Sequence, residues 1–149
     1  MDNHELNIKK TYQLAKRALD KGNHPFGALL VLDGCVVATA ENTVNTEKDV
    51  TRHAELNLVS EAAREMDLEF LSRSILYTST EPCAMCAGAI FWAGISHVVY
   101  GCSAAVLAEI AGGTFAVPCR DLFQYGDREI KVDGPVLESE GVEIHRNFW

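Results

Sequence analysis

The stretch "TSTEPCAMCAGAIFW", residues 78–92, combines the end of a β-rich run, a proline and a Cys-x-x-Cys pair at the start of an apolar segment. Proline is favoured in the first turn of a helix, so "CAMCAGAIFWAG" is predicted to be helical from its first residues. Cys83 and Cys86, three positions apart, would then lie on one side of the helix, whose positive end favours thiolates. Two thiolates alone are compatible with a redox pair, half of a structural zinc site or part of a catalytic metal site.

The chain around this stretch predicts one domain, residues 1–149, in which helices alternate with strands. This order predicts an α/β fold with helices on both faces of a sheet, an antiparallel first strand pair and parallel later strands. Asp33-Gly34 lies between two continuous apolar runs and predicts a hairpin whose strands are both covered on both faces. In chain order, the predicted elements are a helix over 3–21, the hairpin "PFGALLVLDGCVVATAEN", a helix "HAELNLVSEAAREM" from residue 53, a strand "SILYTST", the helix after residue 82, a strand "SHVVYGCS" with a helix following it, and a terminal helix "PVLESEGVEIHRNFW". Residues 111–135 are rich in turns and receive no assignment.

Composition and charge disfavour several classes of function. The 149 residues carry a net charge of −8, which opposes a phosphate-rich partner, so a nucleic acid is less favoured than a small neutral substrate. The apolar stretches are too short to span a bilayer, and the N-terminus lacks the apolar core of a signal peptide. Five cysteines, an odd number, favour free thiols over disulfides. We therefore expect a cytoplasmic protein with no membrane partner.

A zinc ion bound only by Cys83 and Cys86 would be half coordinated, so further ligands must come from elsewhere. A structural site usually takes a second close pair of ligands. Cys35, Cys102 and Cys119 are isolated in the sequence and are expected to be small buried side chains. A redox pair remains an alternative, although such pairs usually occur in a thioredoxin-like context.

The segment "RHAEL", residues 52–56, supplies the third candidate ligand, His53, at the start of its own helix. Helix starts that follow neighbouring strands or loops lie side by side in a layered α/β fold, so His53, Cys83 and Cys86 are expected to meet. Three ligands leave one position open, which is typical of a catalytic zinc with a bound water. Glu55 follows two residues later, a spacing of about 200° on a helix. It can share a site with His53 only at the helix end, where its carboxylate can move a proton between water and substrate.

Together, "HAE" and "PCAMC" resemble the zinc-dependent cytidine deaminase-like superfamily, in whose base deaminases this signature is already recorded. The likeness extends from "HPFGALLV" through "HVVYG" and is greatest to the guanine deaminase and tRNA adenosine deaminase branch. The resemblance implies a three-layer α/β/α sandwich with a five-stranded mixed central sheet, and usually a homodimer.

The resemblance also assigns roles to residues of this chain. His53, Cys83 and Cys86 match the ligands of one Zn²⁺ per chain with its bound water, and Glu55 matches the catalytic proton shuttle. The residues that match substrate contacts are Asn42, Ala54, Phe26 and Trp92. The implied reaction is hydrolytic removal of an amino group, as ammonia, from a small heterocyclic amine.

Two departures bear on the substrate. Where tRNA deaminases carry a "GAAGS"-like segment and a basic C-terminal helix, this chain has "CSAAVLAEIAGG" and an acidic C-terminus. Glu109 lies near the position of an acidic residue of guanine deaminases, without a clean local match. The favoured substrate is an amino-substituted nucleobase or nucleoside, most of all a purine such as guanine. The alternatives are tRNA-specific adenosine deamination, deamination of a pterin, triazine or cytosine, and a zinc-binding fold without activity.

The tail "HRNFW", residues 145–149, ends in two aromatic residues. Paired aromatic side chains in a terminal segment indicate docking, since free ends usually fray. The tail is expected to pack on the body or on a second subunit, with closure of the active-site mouth as the alternative.

Overall fold

A five-stranded sheet forms the centre of the molecule in a computed structural model that describes residues 3–149. The strands are β1 (Gly27–Leu32), β2 (Cys35–Glu41), β3 (Ile75–Thr80), β4 (His97–Cys102) and β5 (Lys131–Asp133). Their order in the sheet is β2-β1-β3-β4-β5. β1 pairs antiparallel with β2 and β3, whereas β4 is parallel to both β3 and β5. The predicted mixed five-stranded sheet is therefore confirmed.

Eight helices surround the sheet within residues 3–149. They are α1 (His4–Asp20), α2 (Val44–Glu47), α3 (Ala54–Glu65), α4 (Leu68–Arg73), α5 (Ala84–Ala93), α6 (Ala104–Ala111), α7 (Cys119–Phe123) and α8 (Glu138–Phe148). In this part of the chain, none of them combines the length and the apolar character needed to cross a membrane.

The sheet divides the apolar interior into two cores, because successive strand residues point to opposite faces. Leu30 and Leu76 belong to a buried cluster with residues of α3, α5 and α7. Leu29 and Tyr77, their neighbours in the chain, belong to a second cluster with residues of α1, and Ile144 of α8 packs against it. Helices thus cover both faces, which confirms the three-layer α/β/α sandwich.

The prediction that both hairpin strands are covered on both faces is right for β1 and wrong for β2. Every residue of β1 is buried, but β2 is partly exposed along its length, and Cys35 is exposed instead of buried. The reason is that β2 is the edge strand, and only one of its faces packs on the core, through residues such as Ala38 and Ala40. Cys102 and Cys119 are buried as expected.

The terminal helix begins at Glu138, later than predicted, and contains Gly141 as its fourth residue. A Cβ at this glycine would lie 2.8 Å from the Tyr12 hydroxyl oxygen and 3.0 Å from Cys102 Cβ. Glycine is therefore needed for the close approach of α8 to α1 and β4, although it weakens the helix locally. The unassigned segment 111–135 contains α7 and β5.

Candidate metal centre and active site

The candidate metal centre begins at two helix starts, where His53 is the N-cap residue of α3 and Cys83 is the N-cap residue of α5. N-cap positions usually hold Ser, Thr, Asp or Asn, whose side chain accepts a hydrogen bond from a free backbone N–H of the helix. Neither His53 nor Cys83 makes such a bond. Their side chains instead approach each other, with His53 Nδ1 3.5 Å from Cys83 Sγ. Both side chains are thus directed at a common site and not at their own helices.

The structure brings the three predicted ligands together. One ring nitrogen of His53 and the sulfur atoms of Cys83 and Cys86 all lie within 4.8 Å of one another. Two ligands of a tetrahedral zinc ion, each bound at about 2.0–2.3 Å, lie roughly 3.3–3.8 Å apart. Small side-chain adjustments would therefore close this site around zinc, and the nitrogen and sulfur donors are those zinc prefers.

The two thiols of this site strongly influence each other's ionisation. The hydrogen bond from Cys86 is the main reason that the pKa of Cys83 falls to about 4, with burial opposing this and His53 adding to it. The interaction with Cys83, together with burial, raises the pKa of the Cys86 thiol far above its usual range. The thiols thus compete to carry a single negative charge. A metal cation between them would let both ionise, because coordination deprotonates a thiol.

Glu55 lies in the first turn of α3 and is only 5% exposed. Burial is the main cause that raises its pKa to about 7, and the neighbouring Cys83 adds to the effect, while His53 opposes it. His53 has extended backbone angles, φ −66° and ψ 154°, so it precedes the regular helix. The divergence expected for two residues inside one helix therefore does not apply here, and the ionisation of His53 and that of Glu55 influence each other and Cys83.

A cavity of ≈ 390 Å³ opens beside this centre, with His53 and Cys83 in its wall. Its volume falls in the range of roughly 300–1,000 Å³ that is usual for small-molecule sites. One side of α6 forms much of the wall, and the turn after α6 contributes Phe115. The remaining residues that line the cavity are His24, Phe26, Glu81, Ala104, Leu107, Ala108, Ala111, Gly113, Thr114, Ala116, Val117 and Trp149.

Of the predicted substrate contacts Phe26, Asn42 and Ala54, only Phe26 lines the cavity. The ring of Phe26, just before β1, forms part of the cavity wall. Asn42 and Ala54 are buried, 1% and 0% exposed, and neither lines the cavity. The side-chain oxygen of Asn42 accepts a hydrogen bond from the backbone N–H of Val44 at 3.0 Å, which fixes the orientation of the amide.

Trp92, the remaining predicted substrate contact, does not line this cavity. It is 84% exposed and borders a separate shallow groove with Gly88 and Tyr125. The cause is its position on α5, where the buried side includes Cys86 and Ile90. Trp92 is two residues beyond Ile90, about 200° further around the helix, so it faces outward.

Glu81, which sequence reasoning did not single out, organises the opposite wall. It follows β3, is 7% exposed, and accepts hydrogen bonds from the backbone N–H groups of Ala104 at 3.0 Å and Cys119 at 2.8 Å. These donors stand at the starts of α6 and α7, where the helix dipoles favour a carboxylate. Glu81 therefore holds both ends of the segment 104–119 that covers the cavity. The only feature of the sequence that could have indicated this role is the position of Glu81, directly before Pro82 and the Cys-x-x-Cys pair.

The docked tail also forms part of the wall. His145, on α8, is buried, and its Nδ1 accepts a hydrogen bond from the indole N–H of Trp149 at 3.1 Å. The proton of the neutral ring is then on Nε2, which donates to Thr80 Oγ1 at 2.8 Å. Trp149 also contacts the ring of His24, 5.4 Å between centroids. These contacts hold the tail at the cavity.

Glu109, the acidic residue considered for substrate recognition, is exposed and does not line the cavity.

An α/β/α sandwich in which one histidine and two cysteines meet a buried glutamate beside a small cavity defines the class of zinc-dependent hydrolytic deaminases. Residues 1–102 match the family described as "Cytidine and deoxycytidylate deaminase zinc-binding region", and the chain belongs to this family. It is thus a zinc-binding enzyme of the deaminase type, acting on C–N bonds.

Named relatives differ in substrate. A Schizosaccharomyces pombe protein named "Probable cytosine deaminase" is 35% identical over 95% of this chain and 90% of its own length. Guanine deaminase of Bacillus subtilis is 41% identical over 72% of this chain and 69% of its own. Its crystal structure covers 99% of this chain and 96% of its own, with a TM-score of 0.67 and 34% identity. The tRNA-specific adenosine deaminase of Bacillus subtilis is 32% identical over 88% of this chain and 92% of its own.

Proposed function

We propose that the protein hydrolytically deaminates an amino-substituted nucleobase or its nucleoside, first of all a purine such as guanine, and releases ammonia. The observation that carries this proposal is the cluster of His53, Cys83 and Cys86, which is electrostatically coupled to the buried carboxyl of Glu55 and stands beside a small cavity that His53 and Cys83 line. A purely structural metal site would need neither the cavity nor the carboxyl group.

The residues divide the chemical work between them. Zn²⁺ held by His53, Cys83 and Cys86 would supply a Lewis acid that makes water reactive at neutral pH. Glu55 takes one proton from the attacking water and gives it to the ring nitrogen next to the reacting carbon. It then takes the second proton, from the hydroxyl group now on that carbon, and gives it to the departing amino group. The atoms balance, because water replaces the amino group and ammonia leaves.

The cavity wall orients the heterocycle. Phe26, Phe115 and Trp149 offer aromatic faces against which a planar ring can stack. The imidazole of His24 adds a polar edge to the same wall. We carry Asn42 and Ala54 forward as proposed contacts of the base, on the resemblance and on their places at the end of β2 and the start of α3.

The charge of the cavity rim favours a small substrate over tRNA. The segment 103–118, which forms much of the wall, contains Glu109 and no lysine or arginine. α8, which positions the tail, carries three glutamates and one arginine. An RNA site normally needs cations along the phosphate backbone. Adenosine deamination in a tRNA anticodon stem-loop would instead require binding that weakens steeply with salt.

Cytosine is the second candidate. The protein named "Probable cytosine deaminase" supports this candidate. It aligns with 95% of the present chain, so the likeness includes segments that form the cavity as well as the metal centre. The ratio of kcat/KM for guanine to that for cytosine separates the two candidates.

Ammonia release, screened across guanine, adenine, cytosine, their nucleosides, pterins and triazines, tests the proposal. Glu55→Gln keeps the size of the side chain but removes the proton acceptor, so the rate is expected to fall by about 10²–10⁴-fold. Glu61→Gln, an exposed position on the same helix, is the matched control and should leave the rate unchanged. Ammonia release by Glu55→Gln at the wild-type rate, or no release from any of these compounds by the zinc-loaded protein, contradicts the proposal.

We also propose that the chain forms a homodimer through the exposed side of α5. This helix is apolar on all sides, which is typical of a buried helix, yet Trp92 is 84% exposed and Tyr125 beside it is 92% exposed. Trp92→Glu should convert a dimer to a monomer in light scattering. Val50→Glu, at an apolar position that is 81% exposed elsewhere, should not. A wild-type monomer at micromolar concentration would contradict the proposal.

A cytoplasmic location completes the proposal. All five cysteines are free, and the two candidate ligands Cys83 and Cys86 must stay reduced to bind zinc. Reducing compartments preserve such thiols. Fractionation of cells expressing the untagged chain, with a periplasmic marker as control, tests this location.

A further inference from the structure

A second group of ligand-type side chains lies away from the cavity, at the other end of the sheet. His4, His97 and Asp133 each offer one atom, and these atoms all lie within 4.8 Å of one another. His97 is the first residue of β4, whereas Cys83 follows the far end of the parallel strand β3. A strand of this length spans about 20 Å, so the group is separate from the first centre.

The distances in this group suit a shared ion. His97 Nε2 is 2.7 Å and His4 Nε2 is 3.6 Å from the same oxygen, Asp133 Oδ2. Ligands bound at about 2.0–2.2 Å to one ion lie roughly 3–4 Å apart, so slight separation of His97 and Asp133 would admit a metal. Both imidazoles therefore already direct the nitrogen that would bind the ion at the carboxylate.

The surroundings also hold the group in place. The second ring nitrogen of His4, Nδ1, is hydrogen-bonded to the hydroxyl of Tyr77 at 2.8 Å, and Tyr77 is fully buried. A hydrogen bond at the second nitrogen is the usual support of a metal-binding histidine, because it fixes the ring and the tautomer. All three members of the group are half-buried, so they are shielded yet open to an ion from solvent.

One cation already competes for the carboxylate. Lys131 Nζ lies 3.8 Å from Asp133 Oδ2, but the lysine side chain is 68% exposed and can turn into solvent. An incoming divalent ion would replace this weak surface pair.

We propose that His4, His97 and Asp133 form a second metal site, which binds one divalent ion of the zinc, cobalt or nickel type. Two imidazoles and one carboxylate are donors that these ions accept. The ion would join the first turn of α1 to the ends of β4 and β5, three segments far apart in the sequence. It serves stability and not the reaction, since the cavity is at the other end of the sheet.

Cobalt titration of the zinc-loaded, full-length protein tests the site. Zn²⁺ binds more tightly than Co²⁺ and keeps the thiolate centre occupied. Added Co²⁺ should bind with one equivalent per chain and give visible absorption without the near-ultraviolet charge-transfer band of thiolate ligation. At a hundredfold excess over its Kd, Co²⁺ should raise Tm by about 5–10 °C.

Two ligand variants, one control and one variant of the neighbouring lysine test which residues bind the ion. Asp133→Asn and His4→Gln should each lose the cobalt equivalent and the Tm shift while retaining one zinc per chain. Asp127→Asn, an exposed aspartate nearby in the sequence, is the control and should retain both. Lys131→Ala should lower the Kd for Co²⁺, because it removes the competing ammonium group.

The outcomes separate a metal site from an ion-pair group that holds α1 by charge alone. No second equivalent in the wild-type protein overturns the proposal, as does a second equivalent that survives in both Asp133→Asn and His4→Gln. Unchanged cobalt affinity in Lys131→Ala also counts against it, and this variant alters only an exposed side chain. Loss confined to the ligand variants, with tighter binding in Lys131→Ala, supports it.

Discussion

The two sides of the cavity are built in different ways. The metal side comes from two helix starts, where His53 and Cys83 hold N-cap positions and their partners follow within three residues. The opposite side comes from the segment 104–119 and from Trp149, which are distant in the sequence from the metal side. Glu81 binds both ends of the segment, and His145 binds the indole of Trp149. The chemistry thus depends on local motifs on a rigid sheet, whereas the shape of the substrate site depends on long-range contacts.

The largest effect is expected from removal of a proposed zinc ligand on the metal side of the cavity. Cys83→Ala removes one of the three proposed ligands, so the equivalent of zinc bound at the thiolate centre should be lost, and ammonia release with it. Elemental analysis and activity are measured on the same sample. Cys35→Ala, at an exposed cysteine on the edge strand, is the control and should change neither. Undiminished zinc in Cys83→Ala would refute its role as a ligand.

The next effect concerns the docked tail and pH. Burial lowers the pKa of His145 from 6.5 to about 4, so the ring is neutral in the folded state while the unfolded chain binds a proton below pH 6.5. The stability tied to the neutral ring is complete above pH 6.5 and is lost as pH falls to about 4, a change of about 3 kcal/mol.

Urea unfolding between pH 7.5 and 4 measures this loss. The pKa of His24 is also lowered, by burial and by His53, so the share of His145 is the difference between wild type and His145→Gln. This variant should show a flatter pH dependence. Equal slopes in the two proteins would contradict the assignment.

A smaller effect is expected where Glu81 joins the ends of the covering segment. Glu81→Gln replaces one of the two accepting carboxylate oxygens by an NH2 group, which cannot accept a hydrogen bond from a backbone N–H, so the free energy of unfolding should fall by about 2 kcal/mol. KM should rise because the wall loosens, while zinc content stays at one per chain. Glu109→Gln, exposed on α6, should have no effect on either quantity. If KM is unchanged in Glu81→Gln, the wall does not depend on this residue.

The smallest effect, a change in KM, is expected from variants of Trp149, which test whether the aromatic tail forms part of the cavity wall. Trp149→Ala removes one aromatic face of the cavity, so KM should rise about five- to tenfold with a smaller change in kcat. Trp149→Phe keeps a face for stacking and should recover most of the affinity. Equal KM values in the wild-type protein and Trp149→Ala would show that the tail only docks.

The sequence predicted regular elements well where the apolar pattern was long. α1 was predicted over 3–21 and is observed over His4–Asp20, because its helical period repeats for four turns. β5 has three residues and α7 five, too few to show a period. β2 was misjudged in burial, because an apolar run does not reveal that a strand lies at the edge of a sheet.

The same division applies to the candidate site. The triad of His53, Cys83 and Cys86 could be inferred from the sequence, because each ligand belongs to a local helix start. Phe26 was inferred by resemblance and lines the cavity. Trp92 was inferred in the same way but is exposed and lies outside this cavity, because helical spacing alone does not say which side of α5 meets the core.

By itself, then, the sequence determined the class of chemistry, because spacing of one to three residues fixes which side chains share a helix start. Only the tertiary structure decided which residues line the cavity. Glu81, Trp149 and His24 line the cavity through contacts between segments that are 23 to 125 residues apart, and no local pattern encodes such contacts. The cluster of His4, His97 and Asp133 arises in the same way, from strand pairing and helix docking.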